Sequence, residues 1–282
     1  MRIPEVWLPP FPAWLEDFRV PDSVRGQAYE TFGAEARSLV KSAIALAQFH
    51  FNPYQGLISR GEVNPEFGFN SFASAWIASR VILIFGSSYD AAAMACAAAC
   101  LPRLCGVPNI IAICLGKNPS AALLATLELC GIEDIYSLQL EKCHELPQSL
   151  SPPSSTNKNI NPCRALLLDS DGAQNSLAKA LADILPALYL HKRPIVCLEN
   201  TSALDQTLVR KLYGSEVSLV EDPALCDVLI TDSQFDSDAL AASSCPPLVL
   251  NSGAAAFWIF PELEPNFFKI CKLGFDLYKA AQ

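Results

Sequence analysis

Between residues 28 and 51 apolar side chains return every three or four positions. Ala34, Ala36, Leu39, Val40, Ala43, Ile44 and Ala47 form one stripe, a spacing that predicts a helix. After it the pattern changes to short apolar runs separated by helical stretches. Arg80–Phe85 reads as a buried strand broken by Gly86-Ser87-Ser88, and Asp90–Cys105 as a helix closed by Gly106. Asn109–Cys114 is the next strand. Asn118-Pro119-Ser120 opens a helix that runs to Cys130 and stops at Gly131, and Asp134–Leu138 is a third strand. Strand and helix alternating through short loops predict a parallel sheet with right-handed crossovers.

Residues 146–162 are rich in proline, serine and asparagine and read as a linker. A second block follows, with strands expected at Ala165–Asp169, Pro194–Leu198, Val217–Val220, Val228–Thr231 and Pro247–Leu250. Helices are expected at about 173–190 and 202–213, and a terminal amphipathic helix from Pro265 to Gln282. The first 30 residues carry Trp7, Pro9, Pro10, Phe11, Pro12 and Trp14. Proline removes amide donors and blocks the preceding turn, so this segment reads as an arm laid on a surface, the chain's own or a partner's.

Composition narrows the classes. Of 282 residues 51% are hydrophobic and 17% charged, which excludes disorder for most of the chain and provides a sizeable core. The formal net charge is −9 and no basic stripe is present, so neither nucleic acid nor an anionic membrane is an expected partner. The apolar run from Ala91 to Leu101 is too short to span a bilayer, and the first residues lack the pattern of a secretory signal. Together these point to the cytoplasm. The eleven cysteines include no Cys-x-x-Cys pair, and Cys96, Cys100 and Cys105 lie along one alanine-rich helix. They read as reduced thiols used as small core residues, and no residue is assigned to a metal.

Three loops carry candidate chemistry. Gly86-Ser87-Ser88-Tyr89-Asp90 follows a strand and precedes a helix, where amides and hydroxyls can receive an anion; alternatively Ser88 or Asp90 simply caps the helix. The loop has neither Gly-x-Gly-x-x-Gly nor a Walker lysine. In Leu168-Asp169-Ser170-Asp171-Gly172, two carboxylates two residues apart suit a hard cation or a capped turn. Asn251-Ser252-Gly253 is turn chemistry taken alone. The three histidines, His50, His144 and His191, have no partners at ligand spacing, and no Gly-x-Ser-x-Gly elbow is present.

Taken in order, these residues resemble histidinol dehydrogenase. Phe49-His50 before Gln55 is similar, with altered spacing, to the family's Phe-His-x-x-Gln, and Arg80-Val81 through Gly86-Ser87 to its Arg-Val strand ending in Gly-Gly. Arg103-Leu104-Cys105-Gly106-Val107 matches its Lys-Val-Ala-Gly-Val. Leu129-Cys130-Gly131-Ile132-Glu133-Asp134-Ile135-Tyr136 matches its Leu-Ala-Gly-Val-x-x-Ile-Tyr. Asn251-Ser252-Gly253 through Phe257, then Pro261-Glu262, resembles its Asn-Ala-Gly-x-x-Phe and Pro-Glu. The match is close over Ala43–Tyr136 and looser over Cys163–Glu262.

The resemblance implies two Rossmann-like α/β domains with largely parallel sheets, an aldehyde-dehydrogenase-like architecture, in an intertwined homodimer. It implies residues 1–27 as an arm, 28–84 with 161–265 as a first, discontinuous domain, 85–155 as a smaller second one, and 266–282 as a terminal helix. It also implies NAD as cofactor, held by Gly86, Ser87, Ser88 and Tyr89 facing Asn251, Ser252 and Gly253, although the family's cofactor-contacting tyrosine aligns with Ala91.

The departures concern chemistry. The family oxidises an amino alcohol by two hydride transfers to NAD, with zinc held by Gln, His, Asp and His and a catalytic Glu-His couple. Asp227–Ser233 stands where that couple belongs, Ser137–Lys142 replaces the Gly-Gly-Ala-Gln-Ala loop, and the zinc-ligand blocks are missing around 146–162. Losing one general base removes about 10²–10⁴-fold of rate, and losing the metal as well leaves no route to this reaction. Zinc is therefore not expected. The expectation is a degenerate homologue that keeps a small-molecule or nucleotide pocket. The alternatives are an active NAD-dependent oxidoreductase rebuilt around Tyr89, His50 or Asp169, and a non-catalytic subunit or scaffold docking through Trp7–Trp14.

Overall fold

The computed structural model describes residues 11–51, 58–64, 69–116, 118–146, 163–169, 175–185, 187–190, 193–201, 204, 206–215, 217–233, 246–260 and 262–277. The chain enters through a 3₁₀ turn at Ala13–Phe18 and then forms helices α1 (Asp22–Phe32) and α2 (Ala34–Phe51). The one helix expected over 28–51 is thus two. Gly33 sits at φ 87°, a left-handed conformation that ends α1 and that a side chain would strain. The predicted stripe on α2 holds, with Ala36, Val40, Ala43 and Ala47 buried.

Two strands follow, β1 (Ile58–Asn64) and β2 (Phe69–Ile77). Next come β3 (Arg80–Phe85), α3 (Ala92–Leu104), β4 (Asn109–Leu115), α4 (Ala121–Leu129), β5 (Ile135–Leu138) and a single turn α5 (Leu140–Cys143). Beyond the linker come β6 (Cys163–Leu168), α6 (Asn175–Ala182), β7 (Leu188–Leu190), β8 (Ile195–Glu199) and α7 (Gln206–Tyr213). The chain closes with β9 (Ser218–Val220), β10 (Val228–Thr231), β11 (Leu248–Leu250) and β12 (Lys269–Leu277).

Among the described residues twelve strands make three sheets. The five-stranded parallel sheet has the order β5-β4-β3-β6-β7, and the four-stranded parallel sheet β11-β10-β8-β9. The third is antiparallel, β1-β2-β12. In the first sheet the chain runs outward from β3 to β5, then returns to the other side of β3 as β6. That reversal, between β3 and β6, is the topological switch point of a doubly wound sheet.

The inner strands of the five-stranded sheet are buried on both faces, so they are largely apolar rather than alternating, with Arg80 and Arg164 as buried charged residues. Val81, Leu83 and Phe85 face a core shared with α1–α4, α7 and the four-stranded sheet. Ile82 and Ile84 face a second core closed by Leu15, Leu146 and Leu177. The described part of the N-terminal arm lies on the chain's own surface. Leu15 is fully buried, the Val20 amide donates to Ile135 O at 2.8 Å, and Arg19 bridges Tyr136, so the exposed edge of β5 is covered. Trp7 lies outside the described residues.

Two expectations change here. The sheet containing β3, β4 and β5 also contains β6 and β7, so it draws strands from both sides of the boundary placed between 85–155 and 161–265. The parallel sheets part between Leu190 and Ile195 instead. The helix expected over 266–282 is a strand through Leu277. Cys271, Leu273, Phe275 and Leu277 alternate with Lys272, Gly274 and Asp276, a period of two, and a glycine in mid-helix costs about 1 kcal/mol. Likewise the helix expected over 173–190 stops at Ala182, short of Pro186, and Leu188–Leu190 forms a strand.

Candidate functional sites at opposite ends of the sheets

The switch point brings together the carboxyl ends of β3, β4 and β6. Gly86 is buried there, its amide donating to Leu168 O at 2.9 Å. A Cβ built on Gly86 would stand 2.8 Å from Asp169 Oδ1, so the Asp169 carboxylate lies directly over the loop glycine. On the other side a Cβ on Gly116, at φ 99°, would meet the Ser87 Cβ at 3.3 Å. Ser137 Oγ donates to Gly116 O at 2.6 Å and holds that turn. Ser87 and Ser88 are exposed. Tyr89 is a core residue, 1% exposed, with its ring 5.2 Å from Phe85 and its carbonyl accepting from Ser120 Oγ at 3.0 Å.

Neither Ser88 nor Asp90 caps α3. The N-cap residue is Ala91, which offers no side-chain bond, and Ala91–Ala95 are wholly buried. Asp90 turns away, its Oδ1 accepting from the Ser215 amide at 2.9 Å and from Ser215 Oγ at 3.2 Å.

This geometry decides how a dinucleotide fits. A pyrophosphate in a doubly wound sheet lies against the amides of the first helix turn, with glycine allowing close approach. Here that turn is covered, no cation stands in the Gly86–Asp90 loop, and the glycine faces a carboxylate. A second negative charge at that spot is repelled. The residues present do not fit NAD in this manner, and no hydride step is derived through it.

Asn251–Gly253 lies at the carboxyl end of β11 and forms a closed turn. Asn251 Oδ1 accepts from the Gly253 amide at 3.0 Å, while Asn251 Nδ2 and the Ser252 amide donate to Asp232 Oδ1 at 3.2 and 3.3 Å. This turn and the Gly86–Tyr89 loop share a core through α7, where the Tyr213 hydroxyl donates to Ala255 O and Ser215 reaches Asp90. His50 is exposed at the end of α2, with its ring 4.7 Å from Phe51 and 6.1 Å from Phe257. His144 is exposed too, while Asp171, Gly172 and His191 lie outside the described residues.

A concave site among the described residues lies elsewhere. A cavity of about 500 Å³ opens at the amino ends of β8, β10 and β11 and the carboxyl end of β7. Its walls are Tyr189, Leu248, Trp258, Ile259 and Phe260. The aromatic walls are locked edge to face: Tyr189 to Phe260 at 5.6 Å, Trp258 to Phe260 at 6.4 Å, and Tyr213 behind Trp258 at 6.1 Å. Arg193, Asp227 and Glu262 supply the charge at its border. Asp227 Oδ2 is engaged by the Ile195 amide at 2.8 Å, which fixes the start of β8. Burial, and then the charge of Glu262, push the Tyr189 hydroxyl up to about 12. The one pointer to this site in the sequence is the run Phe257-Trp258-Ile259-Phe260; its other walls come from segments far apart in the chain.

No protein-family model matches the sequence, and no curated protein matches it. The fold does have counterparts among solved structures. Histidinol dehydrogenase from Elizabethkingia anophelis superposes with a TM-score of 0.55 at 12% identity, over 94% of this chain and 78% of that one. A succinate-semialdehyde dehydrogenase from Burkholderia pseudomallei gives 0.45 at 8% identity, over 90% and 84% of the two chains. An aldehyde dehydrogenase from Brucella melitensis biovar abortus 2308 gives 0.41 at 10% identity, over 91% and 84%. The chain has a dehydrogenase-like α/β fold with largely parallel sheets.

Proposed function

We propose that this chain keeps the fold of histidinol dehydrogenase without its zinc- and NAD-dependent oxidation. Its role is to bind a small, largely apolar, ring-bearing molecule in the cavity between the two parallel sheets. The observation that carries this reading is the cavity itself. Its size lies within the roughly 300–1,000 Å³ of small-molecule sites, and apolar walls with a few polar groups at the border are what such sites present. Among the described residues neither a histidine nor a thiol lines it. Tyr189, held neutral far above physiological pH, serves there as a hydrogen-bonding group rather than a base.

The chain works as a pair of identical copies in this reading. Leu273 and Phe275, on one face of the antiparallel sheet, are 67% and 65% exposed, apolar surface that a second copy would cover, while Phe72, 56% exposed, stands on the other face.

The test uses 8-anilinonaphthalene-1-sulfonate, an apolar two-ring probe with one anionic group. It should bind the native chain with one saturable site, and Trp258→Ala should weaken it at least tenfold. Ile259→Trp, which fills the cavity, should abolish binding while leaving the fold intact. Unchanged binding in Ile259→Trp overturns the cavity as the site. Formation of NADH from histidinol and NAD in the presence of zinc overturns the loss of oxidation chemistry.

A further inference from the structure

Cys96 and Cys100 lie one turn apart on α3, and the fold brings Cys130, the C-cap of α4, against them. Cys96 Sγ is 3.9 Å from Cys100 Sγ, Cys100 Sγ is 3.9 Å from Cys130 Sγ, and the three sulfurs all lie within 4.8 Å of one another. At 3.9 Å they are free thiols, since a disulfide needs about 2.05 Å. All three are buried, and among the described residues no histidine or carboxylate joins them.

We propose that these three thiols bind one soft, thiophilic metal ion in trigonal coordination, Cu(I) being the ion that suits them. A point equidistant from three sulfurs so spaced lies about 2.3–2.5 Å from each, which is the length of a metal–thiolate bond, about 2.3 Å. Three thiolates with no oxygen or imidazole select a soft ion, and the lack of a fourth donor disfavours tetrahedral Zn(II). The surroundings suit a cation as well. Cys130 caps α4 and Cys100 lies just before the last turn of α3, so the partial negative charge of the α4 carboxyl end is at the site and that of α3 is close to it.

Binding releases the three thiol protons and leaves two net negative charges around a monovalent ion. Arg103 stands against them, its guanidinium donating to Cys130 O and, at 3.2 Å, to Gly131 O. Arg103 is exposed and lies over Gly131, between the triad and the solvent-facing surface of that turn. The ion would staple α3 to α4.

The experiment is an anaerobic titration of the reduced full chain with Cu(I) against bathocuproine, followed by X-ray absorption at the copper edge. One tightly held equivalent with three sulfurs at about 2.3 Å is expected, and the melting temperature should rise by about 5–10 °C at saturating metal. Cys96→Ala, Cys100→Ala and Cys130→Ala should each weaken retention at least a hundredfold. Alanine already occupies positions 97–99, so the helix accepts it, and unchanged melting of the metal-free variants verifies the fold. Cys114→Ala, buried on β4 outside the triad, should bind like the parent. Two-sulfur coordination, retention unaffected by Cys100→Ala, or Zn(II) held in place of Cu(I) would each overturn the assignment.

Discussion

The two parallel sheets offer opposite ends to solvent, and among the described residues the aromatic cavity lies at one end and not the other. At the carboxyl end of the five-stranded sheet, the usual ligand position of a doubly wound fold, Asp169 closes over Gly86 and the first turn of α3 is buried. At the amino end of the four-stranded sheet, a position the fold does not normally use, an aromatic cavity of about 500 Å³ lies open. Strand order decides where the crevice falls. Side chains decide whether anything can enter it.

The comparison can be broken first at the cavity. Trp258 is 4% exposed and supports both Tyr213 and Phe260, so Trp258→Ala should cost about 3–5 kcal/mol. That corresponds to a fall of about 10 °C in thermal unfolding. A loss below about 1 kcal/mol would mean that the wall is not part of the shared core.

The crevice is tested by a pair of changes. Gly86→Ala forces a Cβ to within 2.8 Å of the Asp169 carboxylate and should cost about 1–3 kcal/mol. Asp169→Ala in the same chain should recover most of it, so the denaturant midpoints of the cycle should reveal a coupling of about 1 kcal/mol or more. Strict additivity would show that Asp169 does not close the loop.

A smaller effect sharpens the link between the crevice and its flanking helix. Ser120 Oγ accepts from the Leu123 amide at 3.1 Å while donating to Tyr89 O. Ser120→Ala should lose about 1 kcal/mol, as removal of an N-cap does, and Ser120→Asp should retain the cap yet lose the donor to Tyr89. Equal losses in the two variants would remove the cap from the explanation.

The smallest effect is alkaline. Tyr136 and Tyr189 are both pushed up to about 12, chiefly by burial. An unfolded tyrosine loses its proton near 10. Between those values the unfolded chain binds fewer protons than the folded one, so stability falls as pH rises. The contribution is complete below pH 10 and gone above about 12. Urea midpoints across that window should drift down, and absorbance at 295 nm should show at least three of the seven tyrosines ionising late, because burial also pushes the Tyr213 hydroxyl well up. Tyr189→Phe should flatten the slope, and an unaltered slope would contradict Tyr189's share in it.

How much of this was legible in the chain depended on whether the signal was local. Arg80–Phe85 and Val228–Thr231 were read at their true limits because an unbroken apolar, β-branched run bounded by turn residues has one interpretation. The segments β1 and β2 escaped notice because their serines, alanines and asparagines carry little strand propensity. Over strand β12 the amphipathic spacing suggests a helix, whereas Gly274 and the alternation around it favour a period of two. The loop at Gly86 was locatable from strand, glycine and helix alone. That Asp169 lies over it was not, because the two residues meet only when β6 lands beside β3. The cavity draws on residues from 189 to 262, and Cys130 reaches Cys100 only through the packing of α4 on α3. Both depend on tertiary contacts that no local pattern encodes.

A crystal structure of the intact chain soaked with millimolar NAD and 8-anilinonaphthalene-1-sulfonate together tests the central claim most directly. The account predicts the sulfonate probe among Tyr189, Trp258 and Phe260, with no dinucleotide at Gly86–Ser88. Density for the NAD pyrophosphate against the first turn of α3, with the cavity empty, would contradict it.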